Sequence, residues 1–240
     1  MGKTFRILAC GDSALTVEFG DTINPSLNDR VLALDAVVAA AKHQAIVETV
    51  PTYRSLMVHY DPCKIDFAAL SAWLSAIEPT LPAVPTIGQR WRVPVVYGGA
   101  FGEDLAAVAS RHGLTPDAVV AYHAAGDYRV HMLGFTPGFA YLGGLDPRLA
   151  TPRLNEPRRR TPSGTISIGG AQAAIQCLAG PSGWHLLGRT PVRTYHPGRQ
   201  PMFLMAPGDR VSFYPVAASE WDALDRAAEA GDPVAERSAS

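Results

Sequence analysis

The chain has 240 residues, 47% of them hydrophobic and 18% charged, with a formal net charge of -1. That length allows one large domain or two modest ones, each with a real core, and the charge balance argues against a protein devoted to nucleic acid. Cys10, Cys63 and Cys177 are odd in number and lack metal-like spacing, which argues against a disulfide scaffold or metal site and points to a reducing compartment.

The start, MGKTFRILAC, has an apolar run too short and too soon broken for a secretory signal, and no apolar run reaches bilayer length. A cytoplasmic protein without a membrane partner is expected. Ala14 to Phe19 alternates as a strand after the Gly11-Asp12 turn. Pro25 and Ser26 then open a helix with Leu27, Val31, Leu34 and Val38 on one face. Ile46 to Val50 and the alternating Ser55 to Tyr60 predict two further strands. Asp66 is placed to cap a helix with Phe67, Leu70, Leu74 and Ile77 as its apolar stripe. This βαββα order predicts a small α+β domain over residues 1–80, with its helices on one sheet face.

Residues 81–88 continue a stretch broken by Pro79, Pro82 and Pro85, and read as a stiff linker. Beyond it, Trp91 to Tyr97 is a strand interrupted or edged at Pro94. Helices are expected over Glu103 to His112 and after Thr115-Pro116, then a strand over Tyr128 to Leu133. Short strand candidates follow at Thr165 to Ile168, Ala171 to Cys177, His185 to Arg189, Met202 to Met205 and Val211 to Tyr214. Their glycine and proline turns favour a closed or nearly closed antiparallel barrel over residues 89–218. Residues 219–240 are expected to be a helix anchored by Trp221 and Leu224, followed by a frayed tail.

The most informative stretch runs from Tyr128 to Pro191. GFTPGFAYLGGLD, from Gly134 to Asp146, lacks the lysine of a phosphate loop and the spacing of a dinucleotide fingerprint. Two readings fit it: a barrel corner packing Phe135, Phe139 and Tyr141, or a preformed wall beside a ligand or partner. Arg153, Arg158, Arg159 and Arg160 form the one electropositive tract. They suit either carboxylate or phosphate binding or a solvated loop paired to Asp146 and Glu156. Ser163, Thr165 and Ser167 lack the elbow of a nucleophilic serine, and Cys177 reads as core. His131 and His185 could converge as acid and base across the barrel. Trp184 is by default a packing residue, with partner anchor as its alternative.

Several long motifs occur in order: GDSALTVEFG, VPTYRSLMVHYDP, GFTPGFAYLGGLD, PRLNEPRRRTPSG and GPSGWHLLGRTP. Together they closely resemble the family of 5-oxoprolinase B subunits, also described as allophanate hydrolase subunit 1 or the KipI-type family, from about Phe5 to Glu220. The chain departs from the family at Gln176-Cys177, where a tyrosine-proline pair is usual, and at Ser163, where alanine is usual. The resemblance implies a cyclophilin-like β-barrel after the α+β domain. It also implies a complex with the 5-oxoprolinase C subunit, which is a homologous barrel protein, and with the A subunit, in which ATP-dependent opening of 5-oxoproline gives glutamate. The implied chain binds no cofactor itself; the complex uses ATP, because amide resonance in the lactam resists direct hydrolysis.

On that scheme Arg158 and Arg160 are expected to stabilise negative charge, and His131 to transfer a proton. Phe135, Pro137, Gly138, Phe139, Gly164, Gly170 and Trp184 are expected to form the substrate wall and backbone cradle. Two other functions fit the same family: inhibition of a sensor histidine kinase, and an accessory role in allophanate hydrolysis or urea carboxylation.

Overall fold

The computed structural model describes residues 5–77 and 88–238. The chain divides into two compact units, residues 1–87 and 88–240. The linker expected at residues 81–88 lies, apart from Gly88, outside the described residues.

The first unit is a four-stranded antiparallel sheet with two helices. Its strands are β1 (Arg6–Ala9), β2 (Ala14–Glu18), β3 (Ile46–Pro51) and β4 (Ser55–Tyr60), in the order β1-β2-β4-β3. Helix α1 (Pro25–Ala41) starts where the Asn24 side chain accepts from the Ser26 amide and Pro25 supplies a preset φ. Helix α2 (Phe67–Ile77) starts where Asp66 accepts from the Ala69 amide at 2.7 Å. Alternate residues of β4, Leu56, Val58 and Tyr60, are buried with Val31, Leu34, Leu70 and Leu74 of the helices, so the helices share the sheet's apolar face.

Two details differ from the sequence reading. Phe67 is exposed although it belongs to the expected stripe. The order is ββαββα, because β1 adds an edge strand whose Arg6 pairs with Glu18 across the ladder. With its first, third and fourth residues exposed, β1 carries too little apolar alternation to be read from sequence.

The second unit is a closed barrel. Its ring strands are β5 (Arg90–Tyr97), β6 (Tyr128–Leu133), β7 (Ala140–Gly143), β9 (Thr165–Gly169), β10 (Gln172–Gln176), β12 (His185–Arg189) and β13 (Arg210–Pro215). The order β12-β9-β10-β7-β6-β13-β5 returns to β12 through the β5–β12 pairing. A separate ribbon pairs β8 (Arg158–Thr161) with β11 (Gly180–Ser182). Helices α3 (Leu105–His112) and α4 (Pro116–Ala124) contribute Leu105, Val108 and Val119 to the barrel core, and α5 (Trp221–Glu229) follows the last ring strand.

The ring is not wholly antiparallel: β13 runs parallel to β5. Seven strands alternating up and down cannot close without a like-directed pair, so the parallel seam follows from the strand number. At this seam the buried Asp209 carboxylate accepts from the Gln89 amide at 2.8 Å, the Trp91 indole at 2.9 Å and the Ala206 amide at 3.0 Å. It thereby ties the start of β5 to the turn entering β13.

Two further expectations are corrected, and of the two readings of Pro94 the edge position holds. Strand β5 runs through Pro94 without interruption. On the edge shared by β14 (Glu236–Ser238) and β12, Pro94 falls between the two partners, which pair at Arg90 to Arg92 and at Val96 to Tyr97. Met202 to Met205 forms no named strand, only an isolated bridge between Phe203 and Tyr195. The tail expected to fray instead buries Ala235 and adds β14 to β5.

His123 ends α4 fully buried, stacked 4.8 Å from Phe213, with Nδ1 2.8 Å from the Tyr97 hydroxyl. Burial pushes its imidazole down to about 3. The unfolded chain protonates this group near 6.5 and the folded chain does not until far lower. Its stabilising contribution is therefore full above about pH 6.5 and falls by about 1.4 kcal/mol per unit as pH drops towards 3. Urea unfolding between pH 7 and 4 is expected to show a shallower acid limb in His123→Phe/Tyr97→Phe than in the parent; parallel limbs would refute the assignment.

Candidate functional site

The strongest candidate site lies on the outside of the barrel, where strand alternation leaves room for it. On β7 and β10 the residues Ala140, Leu142, Ala173 and Ile175 point into the core, so Tyr141 and its cross-strand partner Ala174 point outward. Phe139 and Trp184 pack beside them as a second apolar cluster. Trp184 can lie this close because β9 ends in Gly169: a Cβ there would sit 2.6 Å from the indole. The ring centroids stand 4.6 Å apart for Phe139 and Tyr141, 6.1 Å for Tyr141 and Trp184, and 5.6 Å for Phe135 and Phe139. These are tilted and edge-on arrangements of the kind aromatic quadrupoles favour.

Over this floor is a cavity of about 300 Å³. Its rim comes from Arg153, Leu154 and Pro157 before the β8–β11 ribbon, and from Pro181 to Gly183 within and after β11. The Leu154 amide donates to the Gly183 carbonyl at 2.7 Å, joining the two sides of the rim. The Arg153 guanidinium sits 5.3 Å from the Trp184 ring centre. Burial pushes the Tyr141 phenol up, and the charge of Arg153 opposes that shift. Phe135 forms the remaining wall with φ +67° and 61% of its surface exposed, a left-handed conformation that L side chains rarely adopt.

The structure brings Phe135, Phe139 and Trp184 to this one cavity. Pro137 and Gly138 line a shallower groove on the other side of Phe135, together with Phe203. Gly138 has φ +74° and its carbonyl accepts from the Thr194 hydroxyl; a Cβ there would strike Thr194 and Tyr195.

The expected backbone cradle is not open. The Gly164 amide donates to the Gln176 carbonyl at 2.7 Å and the Gly170 amide to the Thr151 carbonyl at 2.6 Å, so neither is left for a ligand oxygen. Arg160 belongs to a separate recess with Ser163 and Ala179. His131 is buried on β6 at a register shift, against Gly143, and does not line the aromatic cavity. His185 is half-buried, with Nε2 2.8 Å from the Pro152 carbonyl. The two histidines therefore do not meet at that cavity.

Arg158 serves behind the wall. Its Nε lies 2.7 Å from Glu103, its Nη2 2.7 Å from the largely buried Asp104, and its Nη1 donates to the Trp184 carbonyl at 3.4 Å. Asp104 also accepts from the Leu186 amide at 2.7 Å. This cluster anchors Trp184 and β12. Sequence reasoning did not select Asp104, and it selected Arg153 only as part of a tract. Of the departures from the family pattern, Gln176 is buried and bonded to Thr161 and Leu178, and Cys177 is buried against the backbone of Tyr195. No group of three or more metal-ligating side chains occurs among the described residues.

A small α+β unit followed by a closed barrel with an outward aromatic pocket sets the class of the protein. The family described as carboxyltransferase domain, subdomain C and D, matches over residues 5–205, and the chain belongs to it. A 5-oxoprolinase B subunit from Bacillus subtilis (strain 168) is 34% identical over 235 residues, which cover 93% of this chain and 98% of that one. The solved structure of TTHA0988 is 38% identical with a TM-score of 0.77 over 85% of this chain, which spans 40% of its length. The Kluyveromyces lactis urea amidolyase structure, at 23% identity and a TM-score of 0.82, shares the fold over 98% of this chain and 16% of its own.

Two outcomes are expected of substitutions here. Arg158→Ala leaves the largely buried Asp104 without its cation and is expected to lower stability by about 2 kcal/mol in urea unfolding; an unchanged midpoint would show that the brace is idle. Phe135→Gly removes a strained backbone along with an exposed ring, so its stability should change by less than about 1 kcal/mol while ligand binding at the pocket weakens. Loss of stability without loss of binding would place Phe135 in the core instead.

Proposed function

We propose that this chain is the B subunit of an ATP-dependent 5-oxoprolinase, converting 5-oxoproline to glutamate together with a C subunit that carries a homologous barrel and with an A subunit. The observation that carries the reading is the end-to-end correspondence with a 5-oxoprolinase B subunit, covering nearly all of both chains at 34% identity. A likeness confined to one domain would speak only for the fold.

Geometry adds support. A lactam is a small, largely apolar ring, and the aromatic pocket supplies apolar walls of that scale around one cation. In this reading Phe135, Phe139 and Trp184 contact substrate, and Pro137 and Gly138 extend the wall into the adjoining groove. Arg158 positions Trp184 rather than meeting the reacting atoms. Arg160 is exposed beside Ser163 in the separate recess, so its proposed role is to hold an anionic intermediate there, outside the aromatic pocket. His131 acts from within the barrel wall and Gly164 and Gly170 shape the loops, with no direct contact to substrate at this pocket. ATP is consumed by the complex, and this chain is assigned no nucleotide site.

The decisive assay measures glutamate formed from 5-oxoproline and ATP by the three purified components, with each omitted in turn. Turnover is expected to vanish without this chain and to fall in Arg160→Ala without loss of assembly. An assembled complex with no turnover would overturn the reading, and urea- or allophanate-dependent activity would move the assignment to the carboxyltransfer branch of the family.

A further inference from the structure

We infer that the outer pocket over β7 and β10 binds a small carboxylate carried on a flat, uncharged ring, and that Arg153 is the residue that recognises the carboxylate. This deepens the proposed function, which supplies the choice of 5-oxoproline as the probe. That molecule is a five-membered ring with a planar amide and a single carboxylate.

The walls select the ring. Phe135, Phe139, Tyr141 and Trp184 present aromatic faces and edges, and among the described residues no acidic side chain lines the cavity. At about 300 Å³ the cavity is at the small end of ligand sites, too small for a nucleotide to be enclosed.

The charge arrangement selects the anion. Several other arginines of this unit are tied to acids, among them Arg158 to Glu103 and Asp104, Arg148 to Asp146, and Arg193 to Asp225. Arg153 forms no ion pair among the described residues and is the only cation lining the cavity. Its guanidinium is held near the Trp184 ring at 5.3 Å, an arrangement that occupies the face of the group and leaves its N–H edge for a planar, two-oxygen acceptor. On the same rim the Ser182 hydroxyl oxygen accepts from the Trp184 amide at 3.2 Å, which leaves its own proton for a ligand carbonyl. A cation, an aromatic floor and a hydroxyl donor thus converge at one opening.

Isothermal titration of the 240-residue chain at low salt tests this with 5-oxoproline and with 2-pyrrolidinone, the same lactam without its carboxylate. The parent is expected to prefer 5-oxoproline by about tenfold or more, and added salt should shrink that preference. Arg153→Gln should bind the two compounds equally, Arg153→Lys should recover part of the preference, and Arg159→Gln, an exposed neighbour off the cavity, should behave as the parent. Trp184→Leu should weaken both compounds together. Equal affinity in the parent, or a preference surviving in Arg153→Gln, would overturn the inference. Arg153-dependent binding by this chain, with no turnover in an assembled complex, would remove the oxoprolinase reading and keep the pocket assignment. Turnover that requires this chain but leaves Arg153→Gln unaffected in binding would do the reverse.

Discussion

The barrel depends on how a ring with an odd number of strands closes. Seven strands force one like-directed pair, and the chain places it between β5 and β13, the first and last ring strands in sequence. The two are separated by most of the unit, so closure requires a long-range fastening. Asp209 provides it with three donors from both sides of the seam, including the Trp91 indole. A buried carboxylate is tolerable only when such donors replace its lost hydration. Gly88 completes the fit, since a side chain there would collide with Asp209.

With the interior filled by residues such as Leu142, Ile166, Ile168 and Ile175, the opposite faces of the same strands are released from holding the core together. Tyr141 and Ala174 occupy that second face, and Gly169 lets an indole settle onto it. The pocket is thus built on rigid strands but finished by loops, a division that suits a recognition site. Arg158 and Asp104 stiffen the junction from behind, while Arg153 at the rim keeps its charge available. Two arginines five residues apart, identical in chemistry, have been given opposite work by their surroundings.

That contrast shows what could be read from the sequence and what could not. Long periodic elements were legible: α1, α2, β4 and β6 appear near their expected places because one face of each had to be apolar. Strands of three or four residues, such as β8, β11 and β14, carry too few alternations to announce themselves and are defined by their partners. Met202 to Met205 shows the converse, an apolar run that leaves Met202 and Phe203 exposed and joins only one bridge. In the site, the aromatic residues stood out by composition. The commitment of Arg158 did not, because Asp104 lies 54 positions away. The closure of the glycine cradle was equally hidden, since it depends on which carbonyls the Gly164 and Gly170 amides meet.

The short pairing of β14 with Arg90 to Arg92 has a consequence for the molecule in a crowded solution. Strand β5 is gripped by β13 along one side, but on the other side β12 reaches only Val96 and Tyr97. Without β14, the first half of that side would present unpaired amides and carbonyls, a template for any extended segment from a neighbouring molecule. The last few described residues therefore act as a cover, and Ala235 buried beneath holds the cover down. Trimming them would leave the ring closed while making it sticky, so the penalty would be self-association rather than unfolding.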